Sequence, residues 1–336
     1  MLSESPICHR ANHGSKQRLS LTILLSWLMV VAGIGLCLCT RHIIAGETAA
    51  QQTADVDTHT APPAPPSHEP PVPTVRSKTP IPTTVGPIRV VKSKMALVVD
   101  ANTGEVLLQK NADLVTPIAS ITKLMTAIVV LNAQQAMDEV LTIADSDRDF
   151  LMGTTSRLNV GWSLTREEML HLALMSSENR AAAALSRCYP GGRPAFIKAM
   201  NDKAAELGMT HTHFVNANGL TPENLSTAHD LVKLVQAAYG CQLIRQYSTD
   251  PGYEVHIGKR ILPFVNSDRL VGRPDWDIEV QKTGFINDSG HCLVMRVNAD
   301  GRELVMVFLD AVGKLTRFAD ARRVRTQLAL IPKKQG

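Results

Sequence analysis

Apolar positions recur along this chain with two different periods. KMALVVD (Lys94 to Asp100) and EVLLQK (Glu105 to Lys110) are short apolar-rich runs separated by Asn102-Thr103-Gly104, a spacing that predicts two strands joined by a tight turn. From Pro117 and Ser120 onward the interval lengthens. Ile121, Leu124, Met125, Ile128 and Val129 fall on one helical face, which predicts a helix running to about Ala133. Helical patterns continue over Thr165–Met175, Asn179–Arg187, Pro194–Leu207 and Thr227–Ala238. Strand patterns return at Asp277–Lys282, Cys292–Asn298 and Glu303–Leu309, and a last helix is predicted over about Thr316–Leu330. Strands at both ends and helices between them predict an α+β fold. One sheet is built from both termini, helices cover its faces, and a mainly helical subdomain lies beside it. The sequence contains no internal repeat.

The pattern fails before residue 90. Leu19 to Cys39 is apolar apart from Ser20, Thr22 and Ser26, and Arg10, Lys16 and Arg18 precede it. Such a run is long enough to cross a bilayer, with the basic end held in the cytoplasm. Residues 1–41 therefore read as a signal peptide, cut near Ala45–Ala50, or as an uncleaved signal anchor. From Thr40 to Pro87 the chain is rich in Pro, Thr, Ala and Gln, and ten of its 19 prolines lie between Pro62 and Pro87. Proline removes donors and favours extended polyproline II, so residues 42–89 read as a disordered, semi-rigid tether. Residues 90–332 then read as the folded domain, exported to the periplasm or cell envelope and, if the N-terminal segment is uncleaved, anchored by it in the inner membrane.

Composition narrows the function little. At 44% hydrophobic and 20% charged, the 336-residue chain is ordinary for a globular protein. A net charge of +4, with no basic stripe interleaved with aromatics, argues against nucleic acid as a partner. Of six cysteines, Cys188, Cys241 and Cys292 lie in the folded part. No C-x-x-C spacing marks a metal or redox site, and the sequence does not say which two could pair in an oxidising compartment.

The chemistry lies in three short segments. Ser120-Ile-Thr-Lys123 opens a helix, and residues three apart share a helix face, so the lysine amine can reach the hydroxyl. An unassisted serine is a poor nucleophile and needs an adjacent base. A lysine serves only when neutral, which burial and a second cation favour. A helix start also supplies backbone N–H groups and the positive dipole end. Alone this carries little, because S-x-x-K recurs by chance about once in a chain of this length. Ser177-Glu178-Asn179 lies between two helices, where the hydroxyl can relay a proton and the amide can hold a peptide group, or where Ser-x-Asn simply caps a helix. Lys282-Thr283-Gly284 ends an apolar strand; Gly284 lets a substrate backbone approach closely, and Lys282 and Thr283 could bind a carboxylate. The three stand in order, and the combination resembles the S-x-x-K, S-D-N and K-T-G triplet of active-site-serine penicillin-binding proteins and class A β-lactamases.

The likeness extends beyond the triplet. PIASITKLMTAIVVL, LALMSSENRAAAAL, YPGG, FIKAMNDKAAELGM, NGL…STAHDL and QKTGFINDSGHCLVM resemble the D-alanyl-D-alanine endopeptidases of the penicillin-binding protein 7 type, within the D-Ala-D-Ala carboxypeptidase/β-lactamase-like superfamily. The resemblance runs from about Met95 to Arg325. It implies a β-lactamase/DD-peptidase-like fold with an antiparallel sheet. It implies that Ser120 attacks a D-Ala carbonyl, Lys123 takes its proton, and Ser177 relays a proton to the leaving amine with Lys282 beside it. Asn179 and Thr283 would hold the substrate, and the N–H groups of Ser120 and Phe285 would form the oxyanion hole. Peptidoglycan stem peptides are the implied substrate, β-lactams the implied covalent inhibitors, and no cofactor or metal is called for.

Class A β-lactamases activate a deacylating water with a glutamate, carried in an E-x-x-L-N loop, and none stands between Asn179 and Lys282. Many D,D-carboxypeptidases carry a further β-rich domain, whereas the 52 residues after Gly284 (336 − 284) are used up by two strands and a helix. A non-catalytic envelope scaffold would not need Ser120, Lys123, Ser177 and Lys282 together. The His211-Thr-His213 pair has ligand-like spacing, but no H-x-x-E-H or H-E-x-x-H accompanies it.

Overall fold

Strand alternation decides how the sheet is buried. The computed structural model describes residues 91–330, together with Ile88 and the backbone of Thr84–Val85. The leader and most of the tether read from the sequence lie outside the described residues. In chain order the elements are β1 Thr84–Val85, β2 Met95–Asp100, β3 Val106–Lys110, β4 Thr116–Pro117, α1 Thr122–Asn132, β5 Val140–Thr142, β6 Ser163–Thr165 and α2 Arg166–Met175. There follow α3 Asn179–Arg187, α4 Gly192–Glu206, β7 Leu225–Ser226, α5 Ala228–Tyr239, α6 Gln242–Thr249, β8 Gly252–Ile257 and β9 Arg260–Val265. The chain closes with β10 Asp277–Ile286, β11 Gly290–Ala299, β12 Arg302–Ala311 and α7 Thr316–Leu328.

Six strands form one antiparallel sheet in the order β1-β3-β2-β12-β11-β10. The N-terminal β2 pairs with the C-terminal β12, Val98 opposite Met306, so the sheet is built from both ends of the chain as the pattern requires. Met95, Leu97 and Val99 of β2 and Val305, Val307 and Leu309 of β12 join the large core under the helices. Their alternates Ala96, Val98, Leu304, Met306 and Phe308 join a second core under α7, which supplies Phe318, Ala321, Val324 and Leu328. Backbone pairing of Thr84–Val85 with β3, and the buried Ile88, show that contacts with the sheet begin ahead of Val90.

The helical subdomain is capped where the sequence marks it. Thr165 Oγ1 accepts from Glu168 N (3.1 Å) while Glu168 Oε2 accepts from Thr165 N (2.8 Å), a reciprocal box that fixes the start of α2. Thr227 caps α5 by accepting from Asp230 N at 3.2 Å.

Three features depart from the sequence reading. Pro117 and Ser120 do not lie in the α-helix: Thr116–Pro117 is a strand paired with β7, and Ala119–Ile121 is a short 3₁₀ helix ahead of α1. The strand ending in Lys282 continues to Ile286, so Lys282-Thr283-Gly284 lies within a strand and not at its end. Helix α6 and the β8–β9 hairpin are additional; the hairpin exposes most of its side chains and carries Pro263, which blurs a strand signal. Cys188, Cys241 and Cys292 are not bonded to one another. His213 pairs through its backbone with Leu225, and the His211 ring meets Thr210 Oγ1 at 3.1 Å.

Candidate active site

The site is assembled around a strained turn. Ala119 holds a φ of +46°, a left-handed conformation that costs a residue with a Cβ about 1 kcal/mol or more. Its neighbours hold it there. Ile118 N donates to Asn224 O (3.1 Å), Thr122 Oγ1 donates to Ala119 O (2.7 Å), and Asn224 Nδ2 donates to Thr122 Oγ1 (2.9 Å). Two glycines press against the same turn. A Cβ on Gly219 would lie 2.0 Å from Ala119 O, and one on Gly284 would lie 3.0 Å from Ile118 O and 3.1 Å from Ser120 N. Glycine at both positions lets β10 and the Asn218-Gly219 loop close on the turn that presents Ser120.

Ser120 and Lys123 then meet as their spacing predicts. Lys123 Nζ lies 2.7 Å from Ser120 Oγ, 2.8 Å from Asn179 Oδ1 and 2.7 Å from Asn218 O. Ser120 Oγ is also 3.3 Å from Asn218 O. Lys123 has no exposed surface, and burial pulls its pKa down to about 7, against an opposing pull from the Glu178 carboxylate. Of the two causes expected from the sequence, burial and a second cation, burial supplies the depression. Lys282 is equally buried, and its pKa is driven well below the ordinary value by burial first, then by the charges of Lys123 and Arg317.

The middle segment follows a left-handed turn. Ser177 holds a φ of +62°, and Glu178 N reaches back to Leu172 O (3.1 Å) to close the end of α2. The cap of α3 is Glu178, which accepts from Arg180 N at 3.3 Å, and not Ser177. Ser156 Oγ donates to Glu178 Oε1 at 2.5 Å. Asn179 faces Lys123 with its oxygen, while its Nδ2 donates to Thr154 Oγ1 at 3.1 Å. Ser177 itself has no hydrogen bond to a described residue.

On β10, Lys282 Nζ donates to Thr283 O (2.9 Å), and Thr283 Oγ1 donates to Ser267 Oγ (2.7 Å). Phe285 is half exposed and stacks on His291 at 4.2 Å. Behind this strand lies Asp268, whose carboxyl is pushed up to about 6 by burial, against Leu270 N–H and the charges of Arg317 and Lys282.

Direct hydrogen bonds thus join Ser120, Lys123 and Asn179. Gly284 joins them by close approach, and Lys282 through its charge. Thr283 and Phe285 flank Lys282 and Gly284 on the strand, and Ser177 adjoins Asn179 in the chain. Sequence reasoning missed Asn218, Thr154, Ser267 and Arg317. Asn218 contributes a backbone carbonyl to Lys123, which any residue type could supply. Gly219 did leave a signal, within the Asn218-Gly219-Leu220 segment.

Comparison with known proteins agrees with this geometry. The model of the family described as D-alanyl-D-alanine carboxypeptidase matches residues 82–313. The chain is 51% identical over 238 residues to a D-alanyl-D-alanine endopeptidase of Pseudomonas aeruginosa, covering 70% of this chain and 77% of that protein. It is 48% identical over 245 residues to one of Escherichia coli K12, with the same shares of each chain. Among solved structures, the DD-transpeptidase of Streptomyces K15 superposes with a TM-score of 0.67 at 26% identity, over 73% of this chain and 99% of that one.

Proposed function

Given that the chain belongs to the D-alanyl-D-alanine carboxypeptidase family of peptidases, we propose that it is a serine D,D-peptidase that cleaves D-Ala-containing cross-links of peptidoglycan. The observation that carries this reading is the fully buried Lys123 amine 2.7 Å from Ser120 Oγ, with a pKa near 7. The endopeptidase relatives favour cross-links over monomeric stem peptides as substrate.

In the proposed reaction, neutral Lys123 takes the Ser120 proton as Oγ bonds to the D-Ala carbonyl carbon. The carbonyl oxygen gains the negative charge and accepts hydrogen bonds from the N–H groups of Ser120 and Phe285. Close approach of Gly284 to Ser120 N supports that pairing. As the C–N bond breaks, the leaving amine receives a proton through Ser177, with Lys282 beside it. Asn179 and Thr283 hold the peptide, and water then hydrolyses the acyl-enzyme. Arg317 places cationic charge behind β10, which suits a carboxylate-bearing substrate. β-Lactams would acylate the same serine. We further propose residues 90–332 as the exported peptidase domain in the cell envelope, residues 42–89 as its tether, and residues 1–41 as its leader or membrane anchor.

Purified sacculi digested with the protein, with muropeptides separated by mass, test the reading. Loss of cross-linked dimers, abolished by Ser120→Ala, is expected. Trimming of pentapeptide monomers with dimers left intact would establish a carboxypeptidase instead. Rapid nitrocefin turnover would establish a β-lactamase, and a wild-type protein that never takes up a fluorescent penicillin would support a scaffold.

A further inference from the structure

Asn179 can present either end of its amide to Lys123, and the two ends have opposite consequences. A neutral lysine amine has two N–H donors and one lone pair. If Asn179 Oδ1 and Asn218 O each accept one N–H, the lone pair is left for Ser120 Oγ, and the hydroxyl donates its proton to it. Asn179 Oδ1 and Asn218 O lie 2.8 and 2.7 Å from Lys123 Nζ, and Ser120 Oγ completes its contacts at 2.7 Å. If the amide turned over, Nδ2 would donate into that lone pair, and Ser120 would lose its base.

The amide polarity is fixed from the other side. Thr154 Oγ1 lies 2.7 Å from Asp149 Oδ2. A carboxylate only accepts, so the threonine proton points at Asp149 and its oxygen lone pair faces Asn179, where only Nδ2 can meet it, at 3.1 Å. Asp149 is itself pinned. Its Oδ1 accepts from Leu151 N (2.9 Å) and Met152 N (3.0 Å), and its Oδ2 also accepts from Thr154 N (2.8 Å). These hydrogen bonds hold the Asp149 carboxyl below its usual range. The remaining charges that bear on Lys123 are Glu178 at the head of α3 and Lys282 on β10.

We infer that Asp149 and Thr154 are positioning residues that set the direction of the Asn179 amide and so aim the Lys123 lone pair at Ser120. The inference rests on the reading of Ser120 and Lys123 as nucleophile and base. It concerns residues that touch neither the substrate nor the reacting atoms.

Thr154→Val keeps the shape and removes the acceptor, and Thr154→Ser restores it. Acylation by a fluorescent penicillin is followed from pH 5 to 9 on the full chain. In Thr154→Val the alkaline plateau should fall by at least about tenfold, and the acid limb should move to lower pH, because an amide N–H on the lone pair favours neutral Lys123. Thr154→Ser should return both to near wild type. A merely loosened site would admit water to Lys123 and move the limb to higher pH. Asp149→Asn should act like Thr154→Val, and it carries the test with the same outcomes if Thr154→Val does not melt cooperatively. An unchanged plateau, or a limb displaced upward, overturns the inference. Failure of the wild type to label at all would instead overturn the assignment of Ser120 and Lys123.

Discussion

If Lys123 is the base for Ser120, as proposed, its pKa fixes the pH range over which Ser120 is acylated. Burial moves the amine from 10.5 to about 7, a differential cost of about 5 kcal/mol between its charged and neutral forms. At pH 7 about half the molecules then carry a neutral base, against about one in 3,000 for an ordinary lysine. Only the neutral form can take the Ser120 proton. Below pH 7 the second-order rate of acylation should therefore fall about tenfold per pH unit, and above pH 8 it should level off. Stopped-flow labelling with a fluorescent penicillin from pH 5 to 9, at concentrations well below saturation, reports the free enzyme. A flat profile across that range would refute a lysine base with this environment, and so would a midpoint near 10.

Other perturbations test the surroundings. Glu178 is nearly buried and holds the Lys123 pKa up; Glu178→Gln keeps a cap acceptor and removes the charge, so the acid limb of the same profile should move to lower pH. A shift to higher pH would mean that Glu178 does not act on Lys123 through its charge. Gly219→Ala would place a Cβ 2.0 Å from Ala119 O at a φ of +80°; labelling should fall at least about 100-fold, with about 2 kcal/mol or more lost in a denaturant melt. Gly104→Ala, at a φ of +73° with open space around it, should cost only about 1 kcal/mol and keep labelling intact.

Elements with a strong period or a cap were legible from residue types alone. Alternation in β2 and β12 sorts side chains between two cores, and Thr165 with Glu168 announces α2. The apolar run predicts a strand end at Lys282-Thr283-Gly284, whereas Gly284 continues the strand to Ile286 and approaches Ser120 closely. The start of α1 was read one turn early, because nothing in the residue types announces that Ala119 is left-handed. At the site, Ser120, Lys123 and Asn179 were readable as motif members. Asn218 and Thr154 were not, since a backbone carbonyl and a loop hydroxyl bear no pattern and matter only through their tertiary position.

The sheet that draws on both ends of the chain also sets a timetable. A ribosome delivers residues 95–110 long before residues 277–311, yet β2 has β12 as its partner, and the turn bearing Ser120 is backed by Gly284 of β10. Ser120 is thus made early and stays without its supporting wall until the last strands arrive. Because pairings so distant in sequence form slowly, an unfinished chain would carry the whole Ser120–Lys123 segment and still be no peptidase. Latency before completion is written into the strand order itself.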